Sequence, residues 1–241
     1  MYNLHLFSKY AICYGIFFLL SYISKLNEGN RLFDEKGPVR QPGLLLGFQL
    51  AGILWLGIIP FFTLHHSIPE ILLGTSVPAL KKIGLVLVLA ALAIPLAEKE
   101  AQKNVSPIDN GNPAIFFSHG YIYRYIVYRV CFLICYEFFF RGVLLKDSLA
   151  NIGAMAAVVL NISLYSLLHV FNGRKEMIAC LFFGSLLCLL CTWAAAAWPA
   201  IIIHLIFSIT YELQGVKQFT SKAKNSNYEN IRYRFFGLYR K

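Results

Sequence analysis

The stretch YIVYRVCFLICYEFFFRGVLL, residues 125–145, is apolar over the length of a membrane span, yet it carries a carboxylate and a guanidinium. A membrane-spanning helix needs about 20 mainly apolar residues. Glu137 and Arg141 are four residues apart, so a helix would place both on one face. Charged groups at such depth are costly and usually face a protein interior, where they serve a function. The stretch therefore predicts a membrane helix that carries part of a buried polar site.

The composition of the whole chain is that of a membrane protein. Of the 241 residues, 58% are hydrophobic and 14% are charged, whereas soluble domains carry about 25% charged residues. We therefore expect an all-α fold, a polytopic transmembrane helix bundle of about seven to eight spans. The candidate spans are residues 5–24, 43–64, 80–97, 121–145, 150–170, 176–195 and 197–213.

The charge distribution predicts the domain organisation and the orientation. Residues 1–213 are expected to form a single transmembrane domain, followed by a basic tail at 214–241. Because basic residues gather in cytoplasmic segments, the tail and loops 25–42, 98–118 and 171–175 would be cytoplasmic. An eighth span would invert the N-terminal half. This distribution explains the net charge of +10, so we expect the lipid bilayer as a partner and no nucleic acid.

The six cysteines all lie within apolar runs, where cysteine behaves as a small hydrophobic residue. Cys188 and Cys191 have a CxxC spacing, but no second pair accompanies them. We therefore expect these residues to pack in the core rather than to form a redox or zinc site.

Hydrogen-bonding side chains recur in three predicted spans at a spacing of four residues, which places two of them on one helix face. The pairs are Glu137 with Arg141, Tyr165 with His169, and His204 with Ser208. Glu176 follows His169 by seven residues, and Asn172-Gly173 between them predicts a helix break. Glu176 would then open the next helix, where the helix dipole favours an acid, and would remain near His169.

These residue types favour hydrolytic chemistry. A carboxylate and an imidazole can activate water for attack on a carbonyl group. A second histidine beside a hydroxyl can stabilise the resulting oxyanion, and an arginine can orient the carboxylate and keep it ionised. Zinc is the alternative, because two histidines and two glutamates match its ligand count. The candidate zinc ligands are Glu137, His169, Glu176 and His204, although an HExxH sequence is absent.

Three motifs in this order resemble those of the CAAX protease and bacteriocin-processing family (CPBP, or ABI) of intramembrane proteases. That family carries Glu-Glu-x-x-x-Arg, Phe-x-x-x-His and His-x-x-x-Asn in successive membrane helices. The chain has YEFFFR at 136–141, YSLLH at 165–169 and HLIFS at 204–208. The similarity covers a core of about 120–213 and implies an all-helical membrane fold.

The first motif departs from the family at the residue to which water activation is assigned. Tyr136 stands where the family has its first glutamate. One branch of the family is similar in having an aromatic residue here and a glutamate seven residues after the second-motif histidine. The resemblance then implies that Glu137 or Glu176 acts as the base with His169; otherwise the chain is a pseudoenzyme. Tyr136 could instead donate a hydrogen bond nearby.

The other motifs imply an oxyanion site. His204 would stabilise the oxyanion, with Ser208 in place of the family's asparagine and still able to donate a hydrogen bond. Arg141 would orient Glu137. Tyr165 replaces a phenylalanine, which is a mild change.

The expected function is that of an intramembrane endopeptidase of glutamic type, with no cofactor and no required metal. Its substrate would be a membrane-anchored peptide or protein: a prenylated CAAX tail, a bacteriocin leader or a sorting-signal protein. A non-catalytic protein of the same fold, such as a bacteriocin-immunity or binding factor, is the first alternative. A membrane transporter is the second, although no inverted repeat is visible in the sequence.

Overall fold

The computed structural model describes residues 4–27, 29, 32–34, 37–39, 41–64, 66–104 and 119–225, and almost all of this part of the chain is helical. The helices in chain order are α1 (Leu4–Leu26), α2 (Pro42–Ile53), α3 (Ile59–Leu64), α4 (Ile68–Leu73), α5 (Leu80–Asn104), α6 (His119–Glu137), α7 (Leu145–Ile152), α8 (Ala154–Leu168), α9 (Arg174–Ala194) and α10 (Trp198–Asn225). A pair of two-residue antiparallel strands, β1 (Phe33–Asp34) and β2 (Gly37–Pro38), lies between α1 and α2.

Within the residues that the structure describes, six helical stretches are long and apolar enough to cross a membrane. They are Leu6–Leu26, Pro42–Leu64, Leu80–Lys103, Ala154–Asn172, Arg174–Ala194 and Trp198–Gln218. The further expected span, 121–145, lies within the continuous helical run from α6 to α7, which carries the charged motif. The prediction of an all-α polytopic helix bundle is confirmed.

Successive long helices run antiparallel, so the bundle has two ends. At one end the rings of Tyr22 and Phe171 lie 5.3 Å apart between centroids. We call this the basic end, because it carries Lys25, Lys103, Arg174, Lys175 and Lys217. At the opposite end the short α9–α10 connection is held by the amide of Ala197, which donates to the Ile71 carbonyl at 2.9 Å.

Two π-helical segments, Leu54–Ile58 and Phe138–Leu144, interrupt the helices and contact each other. The sequence predicted regular helices here, because a π turn has no distinct hydrophobic period. The second segment needs its glycine: a Cβ added to Gly142 would lie 2.5 Å from Ile71 Cγ2. Single π turns inside α-helices are frequent at functional sites, and this one begins directly after Glu137.

The connection between α8 and α9 is short, as the sequence predicted. A 3₁₀ turn at Val170–Asn172 is followed by Gly173, whose φ of 103° is one that glycine adopts without strain. The helix break therefore falls where Asn172-Gly173 indicated it, and Glu176 lies in the first turn of α9.

The last helix is longer than the sequence indicated. α10 continues to Asn225, beyond residue 213. Residues 226–241 of the expected basic tail, and residues 105–118 of the expected loop 98–118, lie outside the described residues.

Candidate active site

Glu137 is the fully buried centre of a polar cluster. It is the last residue of α6, and its side chain is 0% exposed. Its Oε1 lies 2.5 Å from Nδ1 of His204 on α10, and its Oε2 lies 3.4 Å from Nε of Arg141. Buried ionised groups need such partners, because burial without them is very costly. The imidazole that Glu137 contacts is therefore that of His204, and not that of His169.

Arg141 lies inside the π segment, and its side chain is also 0% exposed. Its guanidinium carbon lies 4.1 Å from the centroid of the Tyr165 ring, which is a close cation–π contact. Among the described residues, none of its three side-chain nitrogens has an acceptor of good hydrogen-bond geometry. The nearby charge of Glu137 is therefore the main compensation for burying this cation. Gly184 on α9 leaves the space: an added Cβ would lie 3.3 Å from Arg141 Nη2.

His169 and Glu176 form a second carboxylate–imidazole pair. Nδ1 of His169, just after the end of α8, lies 2.8 Å from Oε1 of Glu176 in the first turn of α9. Asn172 donates from Nδ2 to the same oxygen at 2.9 Å. The side chains of His169 and Glu176 are 24% and 29% exposed, unlike the enclosed Glu137. The expectation that the short loop leaves Glu176 beside His169 is confirmed.

The ring of Tyr165 contacts both pairs. Its centroid lies 5.2 Å from that of His169 and 6.4 Å from that of His204. Tyr165 itself is 1% exposed. The structure thus brings the candidate residues of α6, α8, α9 and α10 into one region, but arranges their acids and histidines as two pairs joined by an aromatic ring.

Asn161 stabilises the π segment from α8. Its Nδ2 donates to the carbonyl of Phe140 at 2.5 Å, and its Oδ1 accepts from the thiol of Cys188 at 3.1 Å. The residue is fully buried, and a polar side chain is retained at such a position only when it is hydrogen-bonded. Asn161 therefore fixes the turn that carries Arg141.

Ser208 lies one turn after His204 on α10, but its contact in the structure is with an unexpected residue. Arg129 on α6 donates from Nε to Ser208 Oγ at 3.1 Å. One turn further, the hydroxyl of Tyr125 donates to Oε1 of Glu212 at 2.8 Å. Sequence reasoning missed this polar α6–α10 interface, although Arg129 is itself an ionisable residue in an apolar stretch, two turns before Glu137.

Tyr136 is 4% exposed, and its hydroxyl has no hydrogen-bond partner among the residues that the structure describes. Its ring lies 4.7 Å from that of Phe140 and 6.0 Å from that of His204 between centroids. At the position of the family's first glutamate, the chain thus has an aromatic packing residue. The hydrogen bond suggested for Tyr136 is not formed with any residue that the structure describes.

The zinc alternative named Glu137, His169, Glu176 and His204, which the structure separates into the two pairs. In the part of the chain that the structure describes, one group of at least three potential metal-binding side chains lies close together. It consists of His169, Glu176 and Cys180, whose ligand atoms lie within 4.8 Å of one another. Cys180 was expected to be a packing residue only.

A separate polar cluster lies towards the opposite end of the bundle. Asp147 of α7 accepts a hydrogen bond from the Tyr10 hydroxyl at 2.6 Å, and its Oδ2 lies 3.0 Å from Nε2 of His66. These residues lie far apart in the sequence and form no motif that would predict the cluster. They join α1 and the connection before α4 to α7, and so stabilise the position of α7.

Part of the chain matches a known family. Residues 118–210 match the family model described as type II CAAX prenyl endopeptidase Rce1-like. No curated protein and no solved structure matches the chain significantly. The matched range contains all the candidate site residues from Glu137 to Ser208. The match confirms the resemblance to the CPBP, or CAAX protease, family, and residues 118–210 are the part of this integral membrane protein that carries it.

Proposed function

We propose that the chain is an intramembrane endopeptidase in which His169 and Glu176 activate water without a metal ion. The 2.8 Å contact between His169 Nδ1 and Glu176 Oε1 carries this proposal. Both side chains are partly exposed, so water can reach them. The carboxylate of Glu137, by contrast, is enclosed and already bound to two cations or potential cations. Of the two bases that the sequence left open, the geometry supports Glu176.

The reaction follows from the hydrogen-bond directions that an ionised Glu176 imposes. It accepts the Nδ1–H of His169, which leaves the lone pair of Nε2 to take a proton from water. The water oxygen forms a bond with the carbonyl carbon of the scissile peptide, and the carbonyl oxygen becomes an oxyanion. His169 then gives the proton to the departing amine as the C–N bond breaks, so that the dyad is restored.

His204 would stabilise the oxyanion. Glu137 accepts its Nδ1–H at 2.5 Å, so a protonated imidazole offers Nε2–H to the developing charge. Arg141 holds Glu137 in place through the buried ion pair. Ser208 contributes by keeping Arg129, and hence a further positive charge, one turn from His204. Glu137 and Arg141 are thus positioning residues in this scheme.

The substrate in this proposal is a peptide anchored in the bilayer that approaches from the cytoplasm. The matched family is described as a prenyl endopeptidase of CAAX type, so a prenylated CAAX peptide is the first substrate to test. The basic end carries Lys25, Lys103, Arg174, Lys175 and Lys217, and the positive-inside rule would place it in the cytoplasm together with the C-terminal tail. The residues His169 and Glu176 lie at this end.

The proposed activity is tested with the full chain in liposomes and a farnesylated fluorogenic CAAX peptide. We expect cleavage that persists in the presence of a chelator and falls by about 10²–10⁴ in His169→Ala and Glu176→Gln. Glu70→Gln is the matched control, because Glu70 is 53% exposed and lies outside the site. Full activity of the folded Glu176→Gln and His169→Ala variants would refute the water-activation scheme, and loss of cleavage on chelation would refute its metal-free form.

A non-catalytic member of the family is the second candidate, and one observation favours it. Tyr136 places a phenol, with no hydrogen-bond partner in the described part of the chain, where the family has its water-activating glutamate. This candidate predicts that no CAAX, leader or sorting-signal peptide is cleaved, while substitutions at His169 and Glu176 leave the biological function intact.

A further inference from the structure

The region around the α8–α9 connection combines three different metal-binding side chains. His169 offers a ring nitrogen, Glu176 a carboxylate oxygen and Cys180 a thiol, and these atoms lie within 4.8 Å of one another. The ring nitrogen that faces Glu176 is Nδ1, at 2.8 Å. Glu176 and Cys180 are one turn apart on α9, so they share a face, and the short 3₁₀ turn brings His169 to the same face.

This donor set selects the class of ion. Mg²⁺ and Ca²⁺ prefer sets of oxygen ligands, whereas a nitrogen, a sulfur and an oxygen suit Zn²⁺ and Co²⁺. Zinc–ligand bonds of about 2.0–2.3 Å put neighbouring ligand atoms of a tetrahedral site roughly 3–4 Å apart. His169 Nδ1 and Glu176 Oε1 are 2.8 Å apart, and all the ligand atoms of the group lie within 4.8 Å of one another. These distances lie on either side of the range for zinc, so small side-chain rotations would bring the three atoms to binding distance of one ion.

The neighbouring side chains are placed to support such a site. Asn172 donates to Glu176 Oε1 at 2.9 Å and so fixes the carboxylate. Tyr165 and Cys180 belong to the same buried cluster, and a tyrosine hydroxyl can donate to a metal-bound thiolate. Hydrogen bonds of this kind to the ligands orient them and strengthen metal binding.

We propose that His169, Glu176 and Cys180 form a binding site for a divalent ion of the zinc class. Three protein ligands leave a fourth position for water, as in open zinc sites. Binding removes the proton from the thiol, so the affinity rises with pH. Binding moves the His169 proton from Nδ1 to Nε2, so that Nδ1 and the carboxylate oxygen, which are joined by that proton in the metal-free dyad, become available to the ion. The metal-bound form is therefore distinct from the proposed hydrolytic form, and the site does not depend on the chain being a protease.

Co²⁺ is the probe for this site, because its thiolate complexes absorb by charge transfer. The purified full chain in detergent is stripped with a chelator and titrated with Co²⁺, then with Zn²⁺. We expect one Co²⁺ per chain, a thiolate-to-cobalt band, and its loss when Zn²⁺ displaces Co²⁺. In Cys180→Ser the band disappears and ion affinity falls by more than about tenfold, the loss that even an outer hydrogen-bond partner causes.

Matched variants make the assignment specific. Cys131→Ser removes an exposed thiol on α6 and should leave the band and the affinity unchanged. Glu176→Gln keeps the thiol but should weaken ion binding by at least about tenfold. This variant still tests the site if Cys180→Ser does not fold. Absence of a thiolate band in the wild type, or its persistence in Cys180→Ser, would overturn the site. Neither result bears on cleavage with a chelator present, which tests the proposed function separately.

Discussion

Replacing each of the two glutamates by glutamine should separate the stability of the protein from its chemistry. Glu137 and Arg141 are both 0% exposed, and Arg141 has no other charge partner among the described residues within ion-pair distance. Glu137→Gln keeps the shape but removes the charge, so that a buried guanidinium is left uncompensated. Breaking a buried pair in this way costs about 3–5 kcal/mol of unfolding free energy. Glu176 is 29% exposed and close to solvent, so Glu176→Gln should cost at most about 1 kcal/mol.

Cleavage should respond differently: Glu176→Gln, which costs little stability, should remove most of the activity. Glu176→Gln removes the acceptor that orients the imidazole of His169, and a positioned acid–base group contributes about 10²–10⁴ to the rate. The variant should therefore be folded and nearly inactive. Adding Arg141→Met to Glu137→Gln should recover part of the lost stability, because the uncompensated charge is then absent.

The assay uses the protein's own buried thiols. Thermal unfolding in detergent is followed with a thiol-reactive dye, since Cys188 and Cys191 are buried in the folded chain. Cleavage of the CAAX peptide is measured on the same samples. If the folded Glu176→Gln variant cleaves within a few-fold of wild type, or if Glu137→Gln unfolds at the wild-type temperature, the division of roles between the two glutamates is wrong.

Three further predictions test the surroundings of the site, each measured by the same thiol-reactive unfolding assay. Tyr136→Phe should be neutral or stabilising by up to about 1 kcal/mol, because it removes a buried hydroxyl that has no partner among the described residues. A loss of more than about 1 kcal/mol of unfolding free energy would contradict this, because it would show that the hydroxyl forms a hydrogen bond. Asn161→Ala should cost about 1–3 kcal/mol, since the Phe140 carbonyl loses its 2.5 Å donor, and an unchanged midpoint would contradict this. Gly184→Ala should cost about 1–3 kcal/mol, because the new Cβ would lie 3.0 Å from the Tyr165 ring. Cleavage should decrease together with stability. An unfolding midpoint equal to that of the wild type would contradict this, because it would show that the Tyr165 ring moves aside.

The sequence could predict most of the helices because their signals are local. Apolar length defines the spans, and Asn172-Gly173 marks the break before α9. The π segment at Phe138–Leu144 could not be predicted in this way. It depends on contacts made by other helices, such as the approach of Ile71 to Gly142 and the hydrogen bond from Asn161.

The candidate site could be predicted as a set of residues but not as a set of pairs. Spacing within one helix tells which side chains share a face, and it correctly joined Glu137 to Arg141. It gives no information on which helices are neighbours. The pairing of Glu137 with His204 is a contact across 67 residues, and that of Arg129 with Ser208 one across 79. Only the packing of α10 against α6 reveals them.

The proposed mechanism uses the different placements of the two carboxylates to replace the family's first glutamate. A base must meet water, and Glu137 cannot do so while it is enclosed by Arg141 and His204. Glu176 lies in the first turn of α9, where the helix dipole favours a negative charge and the side chain is partly exposed. It is held by Asn172 in the orientation that contacts His169. A carboxylate from the start of α9 would thus replace one from α6, while Glu137 and Arg141 keep the role of fixing the second histidine. Because this argument rests on access to water, a substitution that seals Glu176 from solvent without touching His169 should abolish cleavage as completely as Glu176→Gln.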